Sequence, residues 1–311
     1  MAIRVEWVGY GREATEALRA EISRTKGDTP LSPVTVVVPS NHVGVATRRL
    51  LASGILGPTC ASGVGLVAVT FMTPYRVAEL LGAPGLAASG RRPVSTPVIA
   101  AALRASLDDA PGLFGPVASH PATETALVAA YRELREVSPA GLDAIAKQGP
   151  RAGDVVRLHR ATRERLEPAW YDEQDLMRSA AAALDRAADA PADLGSVVVH
   201  LPQRLARHTL MLLDAIARVC EVTVLAGSTG DPRADADAAK AVAHLSPAAG
   251  APPTRAPEAV VAPGRTRIVL ASDSDDEMRA AVRRVIGAVR AGTPLDRIAV
   301  LHAAADPYAR L

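Results

Sequence analysis

The chain has 311 residues, with 35 Lys plus Arg against 33 Asp plus Glu and a formal net charge of +2. Hydrophobic residues make up 49% and charged residues 22%, which excludes a chain disordered throughout. Cys60 and Cys220 are the only cysteines, so a disulfide scaffold is excluded and a reducing, cytoplasmic setting is expected. No apolar run reaches the roughly 18 residues of a membrane span, and the N-terminus has no signal-peptide core, so no membrane partner is expected. Almost all positive charge is arginine, since Lys26, Lys147 and Lys240 are the only lysines. The near-neutral balance argues against a freestanding, strongly basic nucleic-acid module and leaves room for a local basic groove. Length alone predicts about two domains of roughly 150 residues.

In chain order, Ile3 to Val8 alternates like a strand, and Gly9 and Gly11 punctuate its end. A helix is predicted from Arg12 to Arg24, with a stripe at Ala17, Leu18, Glu21 and Ile22. Val34 to Val38 is a continuous apolar run, as a buried parallel strand requires. Ser40 or Asn41 can cap the helix that carries Arg48, Arg49, Leu50 and Leu51. Leu66 to Phe71 is a third strand, and Thr73-Pro74 opens a third helix. The opening β-α-β-α-β-α alternation predicts a parallel sheet with helices on both faces.

From Pro97 to Leu184 the periodicity is helical, with no strand expected. The segments are Pro97 to Leu107, Ala122 to Val137, Gly141 to Ala146, Gly153 to Leu166 and Asp172 to Ala188. The β/α alternation then resumes. Strands are predicted at Ser196 to Leu201, Glu221 to Leu225, Arg267 to Leu270 and Ile298 to Leu301. Helices are predicted at Leu205 to Val219 and Asp275 to Arg290, with a short one around Asp235 to His244. A last parallel strand at Ile298 to Leu301 needs neighbours, which leads us to expect a longer protein of which this is the N-terminal part.

A working phosphate loop needs G-x-x-x-x-G-K-[ST], because glycines expose backbone N–H groups and lysine meets the phosphates. Gly9 to Glu16 reads Gly-Tyr-Gly-Arg-Glu-Ala-Thr-Glu, with Gly9, Gly11 and Thr15 at a degenerate version of that loop. Glu13 and Glu16 would repel a triphosphate. The strand that should end in a Mg²⁺-binding carboxylate ends instead in Val199-His200-Leu201-Pro202-Gln203. ATP binding is therefore not expected, nor is any cofactor or metal in this segment. Asp273, Asp275, Asp276 and Glu277 read as a helix N-terminus, with Ser274 to Glu277 fitting a capping box, rather than as a metal cluster. His42, His120, His159, His200, His208, His244 and His302 form no zinc spacing, and His200 and His208 read as structural or exposed. Phe71 and Trp170 read as core aromatics. Neither cysteine lies in a nucleophile motif, and no acid, base or nucleophile set for catalysis stands out.

The ordered segments resemble the N-terminal helicase-like region of AddB-type subunits, among the PD-(D/E)XK nuclease proteins related to RecB and AddAB. The resemblance is carried by Val36-Val37-Val38-Pro39-Ser40-Asn41 with the Arg48-Arg49-Leu50-Leu51 helix, and by Val69-Thr70-Phe71 leading into Tyr75 to Leu81. Leu134-Arg135-Glu136, Tyr171 to Leu176, Asp275 to Arg284 and Arg297 to Leu301 complete it. It implies a P-loop NTPase (RecA-like) fold of the UvrD helicase type. Residues 1–90 and 192–262 would form the first RecA-like domain, 91–191 a helical insertion, and 265–311 the start of a second RecA-like domain. It implies DNA repair and recombination at double-strand breaks, with DNA ends or single strands and a helicase-type subunit as partners. Relatives of full length are DNA exonucleases. Their nuclease centre, Mg²⁺ and iron–sulfur cluster would lie in a C-terminal domain outside these residues. Ser40, Asn41, Arg48, Arg49, Tyr75, Arg76 and Arg204 are the candidate DNA-binding residues. The competing expectation is a doubly wound α/β enzyme or binding protein for a small ligand at the strand C-termini, near Gly9, Tyr10, Ser40 and Asn41.

Overall fold

The computed structural model describes residues 3–57, 65–186, 191, 193–246, 250–253, 267–302 and 308. Cys60 lies outside them. Contacts divide the chain into two units, Met1–Ala256 and Pro257–Leu311.

The first unit opens with β1 (Arg4–Gly9), α1 (Arg12–Lys26), β2 (Val34–Val37), α2 (Asn41–Ala52), β3 (Val69–Met72) and α3 (Pro74–Ala88). A two-residue strand β4 (Arg92–Pro93) leads to helices α4 (Thr96–Asp109), α5 (Pro121–Leu134), α6 (Pro139–Ala146) and α7 (Pro150–Leu166). Then come β5 (Trp170–Tyr171), α8 (Glu173–Arg186), β6 (Ser196–His200), α9 (Arg207–Val219), β7 (Val222–Ser228) and α10 (Ala236–Leu245). The sheet is parallel throughout, in the order β1-β7-β6-β2-β3.

Parallel strands must be covered on both faces, and the alternation of side chains shows how. Val34, Val36, Val198 and Leu225 face α1 and α2. Val37, Val197, Val199, Val222 and Val224 face α3, α8, α9 and α10. Thus α8, the last helix of the predicted insertion, belongs to the layer that covers the sheet. Helices α4, α5 and α7 close a separate core around Leu103, Leu107, Leu127, Tyr131 and Leu158. Gly82 lets α3 and α8 touch, because a Cβ there would stand 2.6 Å from the Leu176 carbonyl oxygen and 2.7 Å from the Ala180 nitrogen.

Three sequence expectations need correction. The helical stretch is bracketed by a strand pair, with Arg92 in register with Trp170 and Pro93 with Tyr171. Two residues are too few to leave a period in the sequence. Helix α11 (Ser274–Arg290) is capped by Asp273, whose carboxylate accepts from the Asp276 N–H at 2.9 Å, one residue earlier than the box at Ser274. Residues 267–270 and 298–301 form no strand among the described residues. Their apolar side chains, such as Leu270 and Leu301, stand exposed, because nothing described in the second unit pairs with them.

An ionic hub ties the helical core to the sheet layer. Arg135, 6% exposed at the end of α5, donates to Asp172 at 2.8 Å and to Asp175 at 2.9 Å. Arg91 and Arg178 also pair with Asp175. Asp172 and Asp175 cap α8 reciprocally, each carboxylate accepting from the other's backbone N–H. Removing one member of a buried ion pair leaves charge without compensation. Arg135→Met should therefore cost about 3 kcal/mol in urea denaturation. Gly82→Ala should cost about 1–3 kcal/mol, because only backbone stands in the way of the new methyl.

Candidate functional site

The strand order reverses between β2 and β6. From β2 the chain steps outward to β3, and from β6 it steps the other way to β7. The helices that follow leave on opposite faces, α2 on one and α9 on the other. Such a switch point opens a crevice at the strand C-termini. Here it measures about 410 Å³ and is lined by Pro39, Thr73, Tyr75, Glu173, His200, Gln203, Arg204, Ala206 and Thr209, among others. A second depression of about 320 Å³ adjoins it, lined by Tyr131, Arg132, Tyr171 and Gln174 and sharing Tyr75 and Glu173. The two form a groove from the sheet edge to the helical core.

Of the predicted DNA-binding residues, Tyr75 and Arg204 line this crevice. Arg204 is exposed and has no ion pair or hydrogen bond among the described residues. Burial, followed by the Glu79 charge, pushes the Tyr75 hydroxyl up, so it stays a neutral donor at pH 7. The Ser40 hydroxyl is occupied, accepting from the Val43 N–H at 3.3 Å as the cap of α2. Asn41, Arg48 and Arg49 lie exposed along α2, outside the crevice lining. Arg76 pairs with Glu79 on its own helix.

The turn after β1 has folded in on itself. The Glu13 carboxylate accepts from the Gly9 N–H at 2.9 Å, where a phosphate loop would present that group to ligand. The Thr15 hydroxyl donates to the Gly11 carbonyl at 3.0 Å. After β7 a similar socket is filled from within. The Asp235 carboxylate, 2% exposed, accepts from the backbone N–H groups of Thr229 and Gly230 and from the hydroxyls of Ser228 and Thr229. Burial pushes this carboxyl up, but those donors outweigh it and hold it below the usual carboxylate range. Tyr10 lies against Gly227, and burial, then the Asp235 charge, pushes its hydroxyl up.

The crevice itself holds a group that the sequence reading placed among the structural or exposed histidines. His200 is 2% exposed, and its Nδ1 has no hydrogen-bond partner among the described residues. Burial brings the imidazole down to about 4, so the ring is neutral at pH 7. A signal was available, since His200 ends a β-branched run in a strand covered on both faces. His208 is buried in the first turn of α9, with Nδ1 3.4 Å from Glu136 Oε2. Burial lowers it, and Glu136 opposes that shift. Cys220 is buried at the end of α9, and burial pushes its thiol up, away from the reactive thiolate. Trp170 is partly buried, under the Arg92 guanidinium at 5.1 Å. Among the described residues no group of three His, Cys, Asp or Glu could hold a metal ion, and no helix is long and apolar enough to cross a membrane.

No protein-family model matches the chain, and a search of curated proteins finds no match.

The histidines set an acid limit on the fold. His159, 3% exposed against Tyr131, is brought down to about 4 by burial and then by the Arg135 and Arg163 charges. His159 and His200 therefore titrate lower in the folded chain than the ordinary 6.5. Their contribution is complete above about pH 6.5 and is lost as pH falls from there towards 4, because the unfolded chain binds the protons first. The loss is on the order of 3 kcal/mol for each. Urea denaturation at stepped pH should show this slope, and His159→Phe with His200→Phe should flatten it.

Proposed function

We propose that the chain is a non-catalytic, helicase-like scaffold that holds DNA or a motor subunit within a DNA double-strand-break processing machine. Residues 1–90 and 192–262 would be a RecA-like domain and 265–311 the start of a second. The observation that carries this reading is the location of the free donors. The turns after β1 and β7, where a nucleotide would need donors, are filled by Glu13 and Asp235. The open groove at the β2/β6 switch point instead offers an unpaired Arg204 and the ring of Tyr75. Arginine for phosphates and an aromatic face for a base are the elements of single-strand binding. ATP hydrolysis would come from the partner motor, and Mg²⁺ and an iron–sulfur cluster would belong to a nuclease domain outside these residues.

The small-ligand reading has one observation of its own, the buried and unpartnered His200 in the same crevice. A polar group of that kind fits a compact ligand as well as a strand. A thermal-shift screen of common metabolites separates the two.

Fluorescence anisotropy with single-stranded and blunt duplex oligonucleotides, titrated with salt, tests the DNA role. Affinity should fall as salt rises, and Arg204→Ala should lower the salt slope by roughly one phosphate contact. Absence of salt-dependent binding, both alone and with a motor subunit, rejects the role. ATP should give no thermal shift, and a clear shift would overturn the reading of the Gly9 to Glu16 turn.

A further inference from the structure

We propose that the β2/β6 crevice is an oxyanion site that takes a phosphate group, held by Arg204, the first turn of α9 and His200. The first support is the open end of α9. Its N-cap is Ala206, which has no side chain to accept a hydrogen bond, and the first internal bond runs from the Leu210 N–H to the Ala206 carbonyl at 3.0 Å. The N–H groups of Arg207, His208 and Thr209 therefore have no acceptor among the described residues. Ala206 and Thr209 of this turn line the crevice, so its N-terminus borders the open space. Three converging N–H groups with a partial positive charge make an anion receptor.

The second support is independent of the helix. His200 lines the same crevice and is 2% exposed, and its Nδ1 is sealed with no hydrogen-bond partner among the described residues. A neutral imidazole has one N–H to donate, so Nε2 is the nitrogen that can offer it to a ligand in the crevice. The backbone marks the same place. Leu201, the next residue, takes φ +51°, a left-handed conformation rare for a leucine side chain. Arg204, three residues on, supplies the full positive charge, with Gln203 beside it. Glu173 is the carboxylate among the described lining residues; it sits in the first turn of α8, and burial, then the Glu136 and Asp172 charges, push its carboxyl up. The donors thus face an anion, while the opposing wall limits how much negative charge the crevice takes. A phosphate group on a strand or on a small molecule fits that balance.

The test is thermal denaturation of the whole chain in inorganic phosphate, against chloride at equal ionic strength, for wild type, Arg204→Met, His200→Phe and Ala206→Asp. Phosphate should raise the wild-type Tm. Arg204→Met should weaken phosphate binding roughly tenfold, as expected for loss of a charge-assisted hydrogen bond. Ala206→Asp provides the decisive variant, because φ −66° and ψ 152° at this position suit an N-cap. It should raise the Tm without phosphate and abolish the phosphate shift, since its own carboxylate fills the receptor. The result holds even if His200→Phe fails to fold. No phosphate shift in wild type, or an undiminished shift in Ala206→Asp and Arg204→Met, overturns the site. A parallel titration with a dT oligonucleotide identifies the source of the phosphate. Oligonucleotide binding weakened by the same variants assigns the site to strand phosphate. Phosphate binding without oligonucleotide binding keeps the site and rejects the DNA role. Oligonucleotide binding indifferent to the variants places the strand outside the crevice and assigns the site to free phosphate or a small phosphate ligand.

Discussion

The parallel pairing of β2 with β6 is the constraint on which the first unit depends. Val34 lies opposite Ser196 and Val37 opposite Val199, although the whole helical stretch separates them in the chain. The Thr35 hydroxyl reinforces the join from a buried position, donating to the Leu194 carbonyl at 2.7 Å. Gly195 is required just before it, since at φ +58° any Cβ would collide with the Pro33 carbonyl. This register brings the two halves of the βα pattern into one sheet and creates the point where strand order reverses. The crevice follows from the pairing and needs no dedicated loop. The closure is costly in entropy, because a contact so distant in sequence is repaid only once β6 is in place.

Electrostatics then divides the C-terminal edge of the sheet into closed and open parts. At β1 and β7, backbone N–H groups point towards positions an anion could occupy, and Glu13 and Asp235 occupy them. Those carboxylates are covalently tethered, so a nucleotide would have to displace an intramolecular ligand before gaining anything. At β2 and β6 the N–H groups of Arg207, His208 and Thr209 have no such partner among the described residues, and the carboxylate that lines the crevice, Glu173, belongs to another helix terminus. The asymmetry explains how an α/β sheet whose first turn is closed by its own carboxylate still keeps an open crevice along the same edge. The closure is local to one turn, whereas the crevice belongs to the topology.

Much of this was legible in the sequence where hydrophobic period and turn chemistry agree. The runs Val34 to Val37 and Ser196 to His200 are buried strands, and Ser40 and Thr73 cap the helices that follow them. The missed features have physical reasons. β4 and β5 are held by position rather than by pattern, each having two residues. Arg267 to Leu270 and Ile298 to Leu301 carry strand composition, but composition cannot supply a neighbour to pair with. His200 ends a strand without a carboxylate, and the further signal at this position is the burial that a strand covered on both faces imposes. The end of α9 was hidden for a related reason. Ala206 reads as a neutral residue in the sequence, and its lack of a capping group acquires meaning only when the helix points into a cavity.

The helical stretch is more than an excursion between β3 and β6, because it builds one wall of the groove. Arg135 anchors Asp172 and Asp175, and those two carboxylates fix the first turn of α8. Glu173 and Tyr75, which separate the two depressions, therefore stand on α8 and α3, the pair pressed together through Gly82. Beyond them Glu136 pairs with His208 in the first turn of α9, so the same core reaches both sides of the crevice. A disturbance at the Arg135 hub would be transmitted to the groove through two packed helices rather than through a loop. Such coupling makes the shape of this edge a property of the helical core as much as of the sheet.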